Sequence, residues 1–138
     1  MSIDEPFNFP QRRPIDTTTK SISIIIPLYN EEESLSPLFE LINKELTLLF
    51  ENNWEVIFVD DGSDDNSLSE IQKLVQKNTN VKYISFRRNC GKSAALAAGF
   101  AECNGDYVVT MDADLQDDPS EIRTLISKLN EGYDLVSG

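Results

Sequence analysis

The stretch Asp106-Tyr107-Val108-Val109-Thr110-Met111-Asp112-Ala113-Asp114-Leu115-Gln116 governs how the rest of the chain is read. A short apolar, β-branched run ends in an Asp-x-Asp pair, and Gln116 follows two residues later. If Asp106–Met111 is a strand, the side chains of Asp112, Asp114 and Gln116 can turn toward one point at its carboxyl end. Hard divalent cations such as Mg²⁺ and Mn²⁺ prefer oxygen ligands, and they need few from protein when phosphates supply the rest. The plainer alternative is that Asp114 or Asp118 caps the helix that follows.

Working outward, the same pattern repeats. Ile22–Pro27, Glu55–Asp60, Val81–Phe86 and Asp134–Ser137 are further short runs rich in β-branched residues. Helical stretches separate them: about Glu33–Glu51, Asn66–Lys77, Lys92–Glu102 and Pro119–Glu131. The last has Asp118 to cap it, Pro119 at its first position, Glu121 to complete a capping box and Gly132 as a stop. Alternating strands and helices predict an α/β fold with a mostly parallel, Rossmann-like sheet and flanking helices. Such sheets bind ligands outside the carboxyl ends of their strands, where the unusual residues of this chain fall.

Residues 1–20 carry Pro6, Pro10, Pro14 and Thr17-Thr18-Thr19 without periodicity, and read as an extended or disordered arm. Residues 21–138 then form one domain, with an ordinary apolar content of 40%. The net charge of −12 argues against a nucleic-acid partner. It also means that a phosphate ligand needs local cations, and Arg87, Arg88 and Lys92 are the dense basic cluster. The absence of histidine removes Ser-His-Asp, Cys-His and His-ligated zinc chemistry together. Cys90 and Cys103 have no metal spacing and no disulfide framework, which fits a reducing compartment, and Cys90 reads as a small buried residue. The N-terminus lacks the pattern of a signal peptide, and the apolar runs fall short of the ~20 residues that span a bilayer.

Each predicted strand ends in residues with chemistry. Strand one runs into Pro27-Leu28-Tyr29-Asn30-Glu31, which a turn alone would also explain. Strand two ends in Asp60-Asp61-Gly62-Ser63, where two adjacent carboxylates repel each other. Nucleoside N–H and hydroxyl donors would compensate them. After strand three comes Arg87-Arg88-Asn89-Cys90-Gly91-Lys92-Ser93. Its Gly-Lys-Ser tail imitates a P-loop, but Phe86 occupies the place of that motif's first glycine. A basic loop at a helix start still suits a diphosphate. The alanine-rich helix behind it, Ala94–Phe100, reads as close packing on the sheet.

Together these motifs resemble family-2 glycosyltransferases of the GT-A fold. The set is Pro27-x-Tyr29-Asn30-Glu31, Asp60-Asp61-Gly62-Ser63, Arg88-Asn89-x-Gly91-Lys92 and Asp112-Ala113-Asp114-Leu115-Gln116-Asp117. It looks most like the polyprenyl-phosphate branch, similar to dolichyl-phosphate mannose synthases and bactoprenol-phosphate glucosyltransferases. The resemblance implies that Pro27, Tyr29, Asn30, Glu31, Asp60 and Asp61 bind the nucleoside of a UDP- or GDP-sugar. It implies that Lys92 stands near the phosphates and that Asp112, Asp114 and Gln116 hold Mg²⁺ or Mn²⁺ there. Asp112 and Asp114 then serve catalysis through the metal, in an inverting transfer to a polyprenyl phosphate. Cys90 departs from relatives that often carry an aromatic at this position. Similar proteins also continue beyond the fifth strand with an acceptor-binding half and often with transmembrane helices. The expectation is therefore a nucleotide-binding N-terminal half, cytoplasmic, of a protein at the cytoplasmic face of a membrane. Two other readings stay open: an aspartate-dependent phosphoryl transferase, and a non-catalytic nucleotide-sugar-binding module.

Overall fold

Seven consecutive residues, Ile22–Leu28, form the first strand (β1), and every one of them is buried. Burial on both faces is what a central strand of a parallel sheet requires, and it explains a near-continuous apolar run. The structure is a computed structural model that describes residues 20–114, 124 and 135–137. After β1 come α1 (Leu35–Phe50), β2 (Trp54–Asp60), α2 (Ser67–Lys77), β3 (Val81–Ser85), α3 (Lys92–Glu102), β4 (Tyr107–Thr110) and β5 (Leu135–Ser137). The five strands lie in the order β3-β2-β1-β4-β5, and all four pairings are parallel. The predicted helix at Pro119–Glu131, with Asp118, Glu121 and Gly132, lies outside the described residues, as does the expected arm apart from Lys20.

Alternation along the strands divides the core into two layers. Ile22, Ile24, Ile26 and Leu28 of β1 join Val56 and Phe58 of β2 beneath α1 and α2. Ile25, Ile57 and Val59 face the other way and pack with Ala95 of α3. The sheet is thus covered on both sides. The alanine-rich helix packs closely through one face only: Ala95 and Gly99 are buried and Ala97 is exposed. A Cβ at Gly99 would stand 2.5 Å from Ile25 Cγ2, so helix and strand meet at a distance that only glycine permits.

The start of α1 comes two residues later than expected. Ser34 N–H donates to the Glu31 carbonyl and Ser34 Oγ to Glu31 Oε1, closing a turn ahead of the helix. Pro37 then falls in the first helical turn, where its missing N–H costs little.

A polar network closes the amino-terminal end of the sheet. Glu55 on β2 accepts from Ser23 Oγ at 2.6 Å and from the Asn104 N–H at 2.7 Å, and pairs with Lys82 Nζ at 2.9 Å. Gly105 N–H donates to Ser23 Oγ. Burial pushes the Glu55 carboxyl up, but the Ser23 hydroxyl, Lys82 and the Asn104 amide outweigh it and hold the carboxyl below its ordinary range. With this end tied, the chemistry-bearing loops gather at the other.

Candidate functional site

A cleft of about 340 Å³ opens at the carboxyl ends of the strands. Pro27, Leu28, Tyr29 and Glu31 line it from the end of β1, and Asp61 from the end of β2. Lys92 lines it from the start of α3, and Asp112, Ala113 and Asp114 from the end of β4. Strand order produces this convergence: β1 lies between β2 and β4, so the three carboxyl ends are neighbours.

Reciprocal hydrogen bonds stitch the loops behind the cleft. Asn30 takes a left-handed backbone conformation (φ 54°), which asparagine tolerates better than most residues. Its Oδ1 accepts from the N–H groups of Asp64 (2.8 Å) and Asp65 (3.3 Å), and its own N–H donates to Ser63 Oγ. Glu31 N–H donates to Ser67 Oγ, Glu32 N–H to Asp65 Oδ2, and Asn66 N–H to Glu32 Oε1. The Tyr29 hydroxyl donates to Asp64 Oδ2 at 3.0 Å. That bond, with the nearby carboxylate charge, holds the phenol above its ordinary pKa. At Asp65, burial raises the carboxyl's pKa, but the Ser67 hydroxyl and the backbone N–H donors to it bring the net value below normal.

The two adjacent aspartates are compensated inside the protein. Asp60, 2% exposed, accepts from the Ser63 N–H at 3.0 Å. Asp61, 5% exposed, accepts from the N–H groups of Cys90 (2.6 Å) and Gly91 (3.0 Å). Each carboxylate keeps further lone pairs, since an ionised carboxylate offers about four acceptor positions. The helix start that suited a diphosphate therefore has these two amides occupied by Asp61, and the cationic group it presents to the cleft is Lys92. Lys92 Nζ reaches Asp112 Oδ1 at 2.8 Å.

Of the expected nucleotide-facing residues, Pro27, Tyr29, Glu31, Asp61 and Lys92 line the cleft. The Asn30 side chain bonds to the β2–α2 loop, and that of Asp60 accepts from Ser63 N–H within its own loop. Asp112 and Asp114 stand together on the cleft, and Gln116 lies outside the described residues. Asp114 is exposed and makes no hydrogen bond or ion pair among the described residues. No three acidic or Cys side chains converge on one point among these residues. Two hard oxygen donors on an open cleft nevertheless fit Mg²⁺ or Mn²⁺, which would complete their shells from a diphosphate and water.

The expectation that Cys90 is buried is corrected: it is exposed. The turn aims its amide inward at Asp61 and leaves Sγ outside, donating to the Arg88 carbonyl at 3.4 Å. The sequence reading also missed Ser63, Asp64, Asp65 and Ser67 as partners of the first loop. Their signal was present, since Asp and Ser crowded around a turn regularly bond nearby backbone N–H groups.

A parallel α/β sheet with this cleft at its switch from β1 to β4 is the donor-binding architecture of GT-A glycosyltransferases. The chain belongs to glycosyl transferase family 2, whose family model matches residues 23–138. It is 45% identical over 116 residues to an undecaprenyl-phosphate 4-deoxy-4-formamido-L-arabinose transferase of Proteus mirabilis, covering 83% of this chain and 35% of that one. A mannosyltransferase of Pyrobaculum calidifontis, solved with GDP-Man and Mn²⁺, superposes with a TM-score of 0.70 at 22% identity, over 85% of this chain and 34% of that one. Glucosyl-3-phosphoglycerate synthase of Mycobacterium tuberculosis, solved with Mn²⁺, UDP and phosphoglyceric acid, superposes with a TM-score of 0.66 at 24% identity, over 85% and 41%. The chain spans about a third of the length of the curated relatives it matches. Among the described residues, no helix is long and apolar enough to cross a membrane.

Proposed function

We propose that this chain is the donor-binding part of an enzyme that moves a sugar from a nucleoside-diphosphate sugar to a polyprenyl phosphate, with inversion. One observation carries the reading. A single cleft is lined by Tyr29, Glu31 and Asp61 and also by Lys92, Asp112 and Asp114. The first set suits a nucleoside, because acceptor oxygens meet its N–H and hydroxyl donors. The second set suits a diphosphate, with Lys92 as a point charge and the two carboxylates as holders of Mg²⁺ or Mn²⁺. The base, uracil or guanine, is left to the same pocket.

The acceptor phosphate oxygen attacks the anomeric carbon from the face opposite the nucleoside diphosphate. The bond from that carbon to the diphosphate oxygen breaks as the new bond forms. Asp112 and Asp114 would hold a divalent ion, which would supply positive charge to offset the charge building on the departing diphosphate. Lys92 adds a second positive group there. A phosphate monoester carries about −1.5 to −2 charges near neutral pH, so such a nucleophile needs little deprotonation. That agrees with a chain without histidine. The curated relative named for undecaprenyl phosphate supports this acceptor class, and with it our reading that the whole protein works at the cytoplasmic face of a membrane.

The test is transfer of labelled sugar from nucleotide sugar to a polyprenyl phosphate by the whole protein in membranes, read as label entering the lipid phase. Bound nucleotide sugar with no lipid label would leave a binding module. Phosphorus label from the donor's diphosphate, retained covalently on an aspartate, would point to phosphoryl transfer instead.

A further inference from the structure

We propose that Asp61 is a positioning residue: by accepting the Cys90 and Gly91 N–H groups, it seats the β3–α3 loop so that Lys92 meets Asp112 across the cleft. The proposal rests on the donor-site reading above and adds a link within it. It starts from the cap of α3. Gly91 precedes the helix with φ 101° and has no side chain to cap it. A Cβ at this position would meet nothing within 4 Å, so glycine serves the backbone angle and not the space. The two residues before the helix are held instead by a carboxylate one residue past β2. Asp61 Oδ1 accepts from Cys90 N–H at 2.6 Å and Oδ2 from Gly91 N–H at 3.0 Å.

The carboxylate that does this is itself fixed. Asp61 N–H donates to the Leu28 carbonyl at 2.9 Å, which ties it to the end of β1. Its own carbonyl accepts from Asn89 Nδ2 at 3.2 Å. Phe86 N–H donates to the Asp60 carbonyl. At Gly62 (φ 76°) a Cβ would stand 2.3 Å from the Arg88 carbonyl carbon, so the two loops touch backbone to backbone.

Two interactions compete to hold Lys92 in place: its ion pair with Asp112, and the Asp61 bonds to the loop just before it. The pair is exposed, with side-chain accessibilities of 61% for Lys92 and 47% for Asp112. Exposed pairs contribute little, because solvent screens them and two long side chains lose freedom. The Asp61 bonds are charge-assisted, and the carboxylate is buried, so they dominate. α3 begins at Lys92, one residue beyond the second amide that Asp61 holds, so these bonds set the direction in which Lys92 leaves the backbone. Asp61 also lines the cleft. The side chain facing the nucleoside end is thus the one that orients the cation at the diphosphate end.

The experiment compares the protein with Asp61→Ala and Asp61→Asn by amide hydrogen exchange, with and without sodium formate. In Asp61→Ala, exchange at Cys90 and Gly91 should accelerate on the order of tenfold or more, the scale of losing a charge-assisted bond, with β2 and α1 unchanged. Formate, a free carboxylate that fits the vacated position, should slow it again in this variant and not in the parent. Binding of nucleoside diphosphate with Mn²⁺ should weaken in Asp61→Ala and recover in parallel with formate. Asp61→Asn keeps the shape with one acceptor oxygen, and serves should the alanine variant fail to fold. Exchange at one of the two amides should then accelerate. Unchanged loop exchange in either folded variant, or acceleration that formate leaves untouched, overturns the proposal. A loop that responds to Asp61 and formate, in a protein that binds no nucleotide, upholds the positioning role and overturns the sugar-transfer reading instead.

Discussion

Lys92 Nζ lies 2.8 Å from Asp112 Oδ1, joining the first residue of α3 to the first carboxylate after β4. Asp112 thereby has a monovalent cation at the place where the donor-site reading puts a divalent one. Asp114, two residues on, has no such neighbour among the described residues. On the donor-site reading, Asp112 and Asp114 would hold a metal that enters with a diphosphate, and Lys92 would exchange Asp112 for phosphate.

Metal dependence follows. Nucleoside diphosphate should bind at least about tenfold more tightly with Mn²⁺ or Mg²⁺ than in EDTA, the scale of one charge-assisted contact. Asp114→Ala should abolish most of that difference while leaving nucleoside monophosphate binding close to the parent's. Titration calorimetry in matched buffers measures both. Equal affinity with and without metal would remove Asp112 and Asp114 from that role.

The lock between the first two loops gives an unusual order of variants at Asn30. Asn30→Gly keeps the positive φ accessible and loses only the acceptor for two N–H groups, a cost of about 1 kcal/mol at an exposed site. Asn30→Ala loses the same bonds and adds about 1–2 kcal/mol for holding a Cβ in the left-handed region. Alanine should therefore be worse than glycine here, the reverse of their order inside a helix. Urea unfolding midpoints of the three proteins decide it. Alanine at or above glycine would mean that the loop does not hold φ 54° in solution.

How much of this was legible depends on whether the signal was local. β1 and β2 could be read because residues buried on both faces leave a near-continuous apolar run, as at Ile24–Leu28 and Val56–Val59. The bounds of α3, Lys92–Glu102, matched because Gly91 ends the loop before it and the small residues run unbroken. That Asp112 and Asp114 share one cleft with the end of β1 could be read because they follow a strand that topology brings beside it. The loop partners of Asn30 could not. Whether a polar side chain faces a ligand or another loop depends on partners such as Asp64, more than thirty residues from Asn30, and no local pattern encodes that pairing. Cys90 was misplaced for a related reason: a turn that aims an amide inward at Asp61 aims the side chain out.

Gly62 should be intolerant of even one methyl group. Its φ of 76° disfavours any Cβ, and a Cβ there would meet Arg88 and Asn89 backbone atoms at 2.3–2.7 Å. Backbone cannot swing aside as a side chain can. Gly62→Ala should cost about 2–4 kcal/mol, combining a strained φ with overpacking. The melting temperature should fall on the order of 10 °C. Gly91→Ala, with open space around the Cβ, should carry only the backbone strain and lose less. Thermal melts that rank the two equally would show that loop contact at Gly62 is not the cause.

The network at the other end of the sheet makes a pH prediction whose sign is fixed. Glu55 accepts from Ser23 Oγ and the Asn104 N–H and pairs with Lys82, and these outweigh burial to hold its carboxyl below the ordinary value of 4.5. A carboxyl with a depressed native pKa binds its proton more readily in the unfolded chain. Its contribution to stability is therefore fully present above about pH 4.5 and is lost as pH falls through the native value. Glu55→Gln removes the charge and keeps the shape, at a cost on the order of 1–3 kcal/mol near neutral pH. The gap between parent and variant should stay constant from neutral pH down to about pH 4.5, then narrow as the parent's carboxyl is protonated. Asp65 and Asp106 are also held low, by N–H and hydroxyl donors, so both proteins lose stability in acid and only their difference reports on Glu55. Urea unfolding at stepped pH supplies that difference. A gap that persists unchanged far below pH 4.5, or that widens there, would show that the carboxylate's charge is not what ties Ser23, Lys82 and Asn104 together.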